Sequence, residues 1–304
     1  MKINNENNNS TSTHLKELTN VEKENLLTLI LQSDLRQLRT FPLSSYNLNF
    51  LYPASPLNIK FDKQITPLLL SCYIGKIDIF ILLLTNEYID INLPSQPEKY
   101  TPIMISCFKG FYEITRMLLE KNASLTFENQ NGQLPFIFCF SRLEQSSYRY
   151  ENKKICMMLV DLLLSYGADI NSRFDNIKGY TILIKLVSGE IKNIDKLNTV
   201  KEMAKFLLER GADPTLRGKD EKSIIDIVKN SSAILTHYKE ELIEVLSNTK
   251  QLYFFNDENF IKRGDKIGKG HMRSLTGVPF LNKTIGNEVI FETNEDNMNC
   301  CLLL

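Results

Sequence analysis

The fold is decided by one stretch of the sequence, Thr66-Pro67-Leu68-Leu69-Leu70-Ser71-Cys72-Tyr73-Ile74-Gly75. The threonine hydroxyl can cap a helix, and proline suits the first helical position because the N–H that it lacks would have no partner there. Glycine can adopt the positive φ that ends a helix. The leucine run Leu82-Leu83-Leu84 follows in a second apolar stripe. The stretch therefore predicts two short helices around a tight turn.

The same pattern recurs along the chain. Thr101-Pro102 opens a second unit, and in both units a glycine follows nine residues after the threonine and a leucine-rich run sixteen residues after it. Weaker anchors follow at Leu134-Pro135, Gly179-Tyr180-Thr181 and Lys222-Ser223. A period of about 33 residues indicates stacked units, none of which buries its apolar face alone.

These units resemble ankyrin repeats, whose pattern includes T-P-L-H-x-A. Gly167-Ala168-Asp169 and Gly211-Ala212-Asp213 each follow a leucine run, as in the hairpin after the family's second helix, and Asn122 takes that glycine position in the second unit. The family's histidine is replaced by Leu69 and Met104. The resemblance covers roughly residues 20–250 and implies an all-α repeat solenoid of helix-turn-helix units joined by β-hairpin loops, with flexible termini.

Five segments are expected from the pattern. A capping box of Thr19 and Glu22 predicts where order begins, and the repeat count stays open by one at either end. The segments are a disordered Asn/Ser-rich tail (1–18), a capping repeat (19–60), the repeats (61–250), an irregular segment (251–298) and a lipidation motif (299–304).

The third and fourth units carry extra residues between their two helices, near 142–154 and 188–199. One interpretation is a pair of tolerated surface insertions, because lengthening a loop costs little. The other is a composite binding site, since stacked repeats should bring the two segments side by side and insertions often lie on a binding face. The first insertion holds Tyr148, Arg149 and Tyr150, of types common in binding hot spots. The second places Ile191, Ile194 and Leu197 at helical spacing.

The resemblance also implies that the hairpin tips and the concave helix face bind a protein partner. The corresponding segments are 95–99, 129–133 and 174–178, and the candidate contact residues are Glu98, Lys99 and Gln130.

Composition argues against several other functions. Lys plus Arg and Asp plus Glu number 36 each, which leaves no global field to attract nucleic acid. The three histidines are scattered, so we predict a non-enzyme with no metal, cofactor or small-molecule substrate. The cysteines form no C-x-x-C pair and no secretory signal is evident, which favours a reducing cytosol. The apolar stretch 65–84 has Lys76 and Asp78 at its centre, which argues against a transmembrane helix.

The sequence ends in Cys301-Leu302-Leu303-Leu304, which is typical of a CaaX prenylation motif, and the final leucine favours geranylgeranyl on Cys301. One lipid chain generally needs a second anchor, and the acidic residues after Lys283 cannot supply it, so Cys300 is the candidate for palmitoylation. We therefore expect a cytoplasmic adaptor, peripheral on the cytosolic face of a membrane, that binds an unidentified protein partner. The alternative is a soluble cytosolic or nuclear scaffold or inhibitor in which the motif is incidental.

Overall fold

The computed structural model describes residues 15–140, 143, 150–173 and 178–247. They belong to two compact units, divided between Ile182 and Leu183. Helices dominate both units, and one pair of two-residue strands lies in the first. Among the described residues, no helix combines the length and the apolar content needed to cross a membrane.

The first unit contains eight helices in its described part. They are α1 (Asn20–Leu31), α2 (Leu35–Thr40), α3 (Pro67–Ile74), α4 (Ile77–Leu83), α5 (Pro102–Lys109), α6 (Tyr112–Glu120), α7 (Pro135–Phe138) and α8 (Tyr150–Ser165). Between α2 and α3 lie two 3₁₀ turns, Leu43–Ser45 and Ser55–Leu57, and the antiparallel strands β1 (Tyr52–Pro53) and β2 (Gln64–Ile65).

Helices of the first unit pack in two rows. The first helices of the pairs form one row, in which α1 contacts α3, α3 contacts α5, and α5 contacts α7. The second helices form the other row, from α2 through α4 and α6 to α8. Because the main contacts of each pair are with the pairs beside it, the architecture is an all-α repeat stack, which confirms the predicted fold class.

Most helix ends follow the sequence prediction. Thr19 and Glu22 form the complete capping box at α1, and the Thr66 hydroxyl accepts a hydrogen bond from the Leu69 N–H at 3.1 Å. Gly75 ends α3 at φ +80° and Gly110 ends α5 at φ +77°. Thr101 differs from Thr66, because its buried hydroxyl makes no hydrogen bond although it occupies the same N-cap position.

The core of the first unit runs along the row of first helices. Its fully buried members include Leu69 and Met104, at the two positions where the ankyrin pattern has histidine. Four free cysteines are buried in the same unit: Cys72, Cys107, Cys139 and Cys156. Burial raises the pKa of the Cys72, Cys139 and Cys156 thiols above the ordinary value, so these side chains act as small apolar residues.

Polar side chains also join consecutive pairs. Asn86 is buried, and its Nδ2 donates to the Leu43 carbonyl at 2.7 Å and to the Tyr46 carbonyl at 2.9 Å. The Asn49 amide oxygen accepts the Asp90 N–H at 2.7 Å. Each of these bonds links residues about forty positions apart in sequence. The stack is therefore held by directed hydrogen bonds as well as by apolar burial.

In the second unit lie α9 (Ile182–Ser188, which begins at the division), α10 (Ile194–Glu209), α11 (Ile224–Asn230) and α12 (Thr236–Ser247). Helix α12 packs against both α10 and α11. The anchor Lys222-Ser223 matches the repeat pattern weakly, yet Ser223 and Asp226 form a complete capping box at α11. The helix cap is therefore retained at a position where the match to the repeat pattern is weak.

Part of each insertion is helical. Helices α8 and α10 contain 16 residues each, against 7 in α4 and 9 in α6, so the added residues lengthen the second helix of the pair. The prediction that Ile191 shares a helical face with Ile194 and Leu197 is wrong. Helix α10 begins at Ile194, and the buried Ile191 instead forms a parallel bridge with Ile234.

Candidate functional site

Backbone hydrogen bonds join three consecutive hairpin tips of the first unit, which we define as residues 62–64, 95–100 and 129–133. The N–H groups of Gln64 and Gln96 donate to each other's carbonyls at 2.9 and 3.0 Å. The Gln130 N–H then donates to the Glu98 carbonyl at 3.0 Å. Neighbouring tips are thus fixed relative to one another within this unit.

The first two tips share a buried polar base. The Ser95 hydroxyl donates to the Asp62 carboxylate and accepts the Tyr100 N–H at 3.0 Å. The Glu98 N–H donates to the same carboxylate at 3.3 Å. Burial raises the pKa of Asp62, whereas the hydrogen bonds from Ser95 and from the N–H groups of Lys63 and Glu98 act in the opposite direction. These buried contacts orient the second tip, and the exposed side chains of that tip take no part in them.

The third tip is closed by one residue, Asn129, whose side chain is almost fully buried. Its amide oxygen accepts the N–H groups of Asn131 and Gln133 at 3.0 and 2.8 Å, and its Nδ2 donates to Gln133 Oε1 at 2.9 Å. A short polar side chain that bonds backbone two residues ahead is a common device for fixing a turn.

The predicted contact residues occupy these tips in different ways. Lys99 and Gln130 are exposed, and Lys99 has φ +60°. Glu98 is half-buried, and its backbone, through the bond to Gln130, brings the two predicted tips together.

Other predicted sites lie outside the described residues. These are Tyr148, Arg149, residues 174–177 of the next tip, Cys300 and Cys301. Tyr150 is described only as the first residue of α8.

One feature beside the tips was missed by the sequence analysis. Lys109 Nζ lies 3.9 Å from the centroid of the Tyr73 ring, and that ring lies 4.8 Å from the ring of Phe61. Phe61 directly precedes Asp62, so this cation–aromatic set adjoins the base of the tips. Lys109 is the one charged residue of the apolar helix α5, and this feature of the sequence could have marked it as a candidate contact residue.

The arrangement is suited to recognition. It offers exposed polar side chains on a hydrogen-bonded frame, next to an aromatic and cationic helix face. In the part of the chain that the structure describes, no group of three or more His, Cys, Asp or Glu side chains is arranged to hold a metal ion.

A family model described as Ankyrin repeats (3 copies) matches residues 43–129. This segment is therefore similar to ankyrin repeats. It includes helices α3 to α6, the first two tips and the start of the third. Ankyrin repeats mediate protein–protein binding, so the match suggests a protein-interaction module. No curated protein matches the chain at a significant level.

Proposed function

We propose that the chain is a non-enzymatic adaptor that binds a protein partner through the hairpin tips and the adjoining Tyr73–Lys109 face. The observation that carries this proposal is the chain of backbone bonds through Gln64, Gln96, Glu98 and Gln130. A surface fixed before binding loses less conformational entropy in the complex, so more of the contact energy contributes to affinity.

The proposed adaptor is tethered to the cytosolic face of a membrane by a geranylgeranyl group on Cys301. The support is the sequence Cys301-Leu302-Leu303-Leu304, in which cysteine stands fourth from the end, two aliphatic residues follow and leucine is last. Cys300 is proposed to carry a palmitoyl group, because a single prenyl chain gives marginal and reversible membrane binding.

Intact mass and membrane fractionation, measured on protein isolated from its own cells, test the tether. The expected result is a mass increase at Cys301, loss of the last three residues and recovery in the membrane fraction. Cys301→Ser should release the protein to the soluble fraction, whereas Cys300→Ser should weaken attachment. Membrane retention of the Cys301→Ser protein would contradict the tether, and an unmodified soluble chain would leave a soluble protein binder.

Binding at the tips is tested separately by the double variant Lys99→Glu/Gln130→Arg, which changes two exposed side chains and leaves the buried base intact. The control is Lys121→Glu, which changes another exposed lysine, at the end of α6. Proteins cross-linked to the chain in cells are compared by mass spectrometry. We expect a set of proteins that the control retains and the tip variant loses. Identical sets would refute the tip surface as the binding site.

A further inference from the structure

The last helix pair that the structure describes, α11 and α12, is less buried than a pair inside the stack. Helix α5, with α3 on one side and α7 on the other, buries seven of its eight residues. Helix α11 buries two of its seven residues, Ile224 and Val228, and α12 buries two of twelve, Leu242 and Leu246. A repeat at the end of a stack has a neighbouring repeat on one side alone, and the burial of this pair fits that position.

Five apolar side chains remain accessible on this pair, and we call them the end patch: Ile225, Ile227, Leu235, Ile243 and Val245. Leu235 lies in the loop between the two helices and is 40% exposed, and the other four are half-buried, each next to a buried position of its helix. Helices α11 and α12 pack against each other. A repeat that caps a solenoid normally has a polar outer face, so the apolar end patch indicates that another segment covers it.

The chain itself supplies an apolar segment a short distance after α12. Residues 253–255 are Tyr-Phe-Phe, the one run of three consecutive aromatic residues in the sequence. Tyr253 follows the last residue of α12, Ser247, by six positions, and an extended chain of that length spans about 20 Å. Helix α12 has 12 residues and is therefore about 18 Å long. The aromatic run can thus reach every position along α12, including the loop that precedes it.

We propose that residues 253–255 fold back onto α11 and α12 and cover the end patch, as a cap for the last pair. Three aromatic rings bring a large apolar area to this contact, because each buries about 150–250 Å². The short linker, residues 248–252, holds the run at an effective concentration in the millimolar range, which a second copy of the chain would have to match. The cap keeps the end patch from contacting other molecules and so prevents end-to-end association of the repeats.

The direct test is photo-cross-linking of the full chain, with p-benzoylphenylalanine in place of Phe254 and, in the control, in place of Phe280. Irradiation is followed by peptide mapping of the product. Position 254 should attach to residues 224–247 of the same chain, in a product with the mass of a monomer, and position 280 should give far less of this product. The proposal is overturned if position 254 attaches to the first unit, to a second copy or to nothing, or if position 280 gives an equal yield.

Amide hydrogen exchange of the full chain then measures what the cap does for the pair. Phe254→Ser/Phe255→Ser should accelerate exchange in α11 and α12 about tenfold, because the loss of buried rings makes local opening easier. The matched variant Phe280→Ser/Phe291→Ser should leave these rates within about twofold. Unchanged exchange in α3 and α5 would verify that the other repeats remain folded. Equal acceleration by both variants, or none by the first, would contradict the cap.

Discussion

Replacement of Gly75 by alanine should be among the most destabilising single-methyl changes in this chain. Gly75 ends α3 at φ +80°, and the ring of Phe111 from the next repeat lies directly against it. An added Cβ would stand 2.1 Å from Phe111 Cζ and 2.3 Å from Cε2. To reach 3.4 Å, where ordinary contact begins, the nearest ring atom must retreat by about 1.3 Å.

Two terms make up the expected cost. A non-glycine residue in the left-handed region costs about 1–2 kcal/mol, of which roughly 0.4–1 kcal/mol is recovered because alanine restricts the unfolded chain. Displacing a packed ring costs about 1–3 kcal/mol more. We therefore expect the free energy of unfolding to fall by about 1–4.5 kcal/mol in Gly75→Ala. Gly167→Ala is the control, because Gly167 has φ +91° and no heavy atom within 4 Å of the added Cβ, which leaves only the backbone term.

The assay is equilibrium unfolding in urea, followed by far-UV circular dichroism, for both glycine variants and for a double-mutant cycle with Phe111→Leu. Removal of the ring should recover most of the packing term, which gives a coupling energy of about 1–3 kcal/mol. A cost for Gly75→Ala no larger than that for Gly167→Ala, or a coupling energy close to zero, would contradict this expectation. Either result would mean that the ring is free to move aside.

Three further predictions follow from buried polar groups and thiols. Thr66→Val should lower the free energy of unfolding by about 1 kcal/mol, because a helix cap is lost. Thr101→Val should raise the free energy of unfolding by a similar amount, because an unpaired buried hydroxyl is removed. Urea titrations of both variants test whether the two changes have opposite signs. Asn86→Ala should cost about 2–4 kcal/mol because the carbonyls of Leu43 and Tyr46 lose the hydrogen bonds donated by Asn86. Asn131→Ala, at an exposed turn position, should cost under about 0.5 kcal/mol in the same titration. A chromogenic thiol reagent should modify the four buried cysteines only after denaturant is added. Burial keeps these side chains inaccessible and raises the pKa of three of the thiols. Rapid modification of more than two of the six thiols in the native chain would contradict their burial.

The helix pairs of the first unit were predictable because their signals are local. Thr66, Pro67 and Gly75 act on backbone within a turn of their own position, so their chemistry can be identified without knowledge of neighbours. Thr101 has the identical sequence context of threonine before proline, yet its hydroxyl has no hydrogen-bond partner, so the sequence pattern alone does not predict the cap.

The insertions show what spacing cannot reveal. The number of added residues follows from the distance between anchors, but their placement depends on which surfaces can be buried. At the second insertion, helical periodicity included Ile191 because its spacing to Ile194 fits a helix. The chain instead turns before α10, and Ile191 pairs with Ile234, more than forty residues later. A contact between residues this far apart in sequence cannot be predicted from the local spacing of apolar residues.

One backbone conformation recurs before the first helix of successive pairs, although the residue types differ. The residue two positions before the expected N-cap has positive φ in four pairs: Lys99 (+60°), Gly132 (+72°), Gly179 (+60°) and Glu221 (+57°). Glycine adopts this conformation readily, whereas lysine and glutamate do so at a cost of about 1–2 kcal/mol. At Lys99 the conformation is imposed by its surroundings, since Asp62 holds the Glu98 N–H and Gln130 holds the Glu98 carbonyl. Glu221 adopts the same conformation with the opposite charge, so the positive φ belongs to the geometry of the turn and does not depend on the lysine.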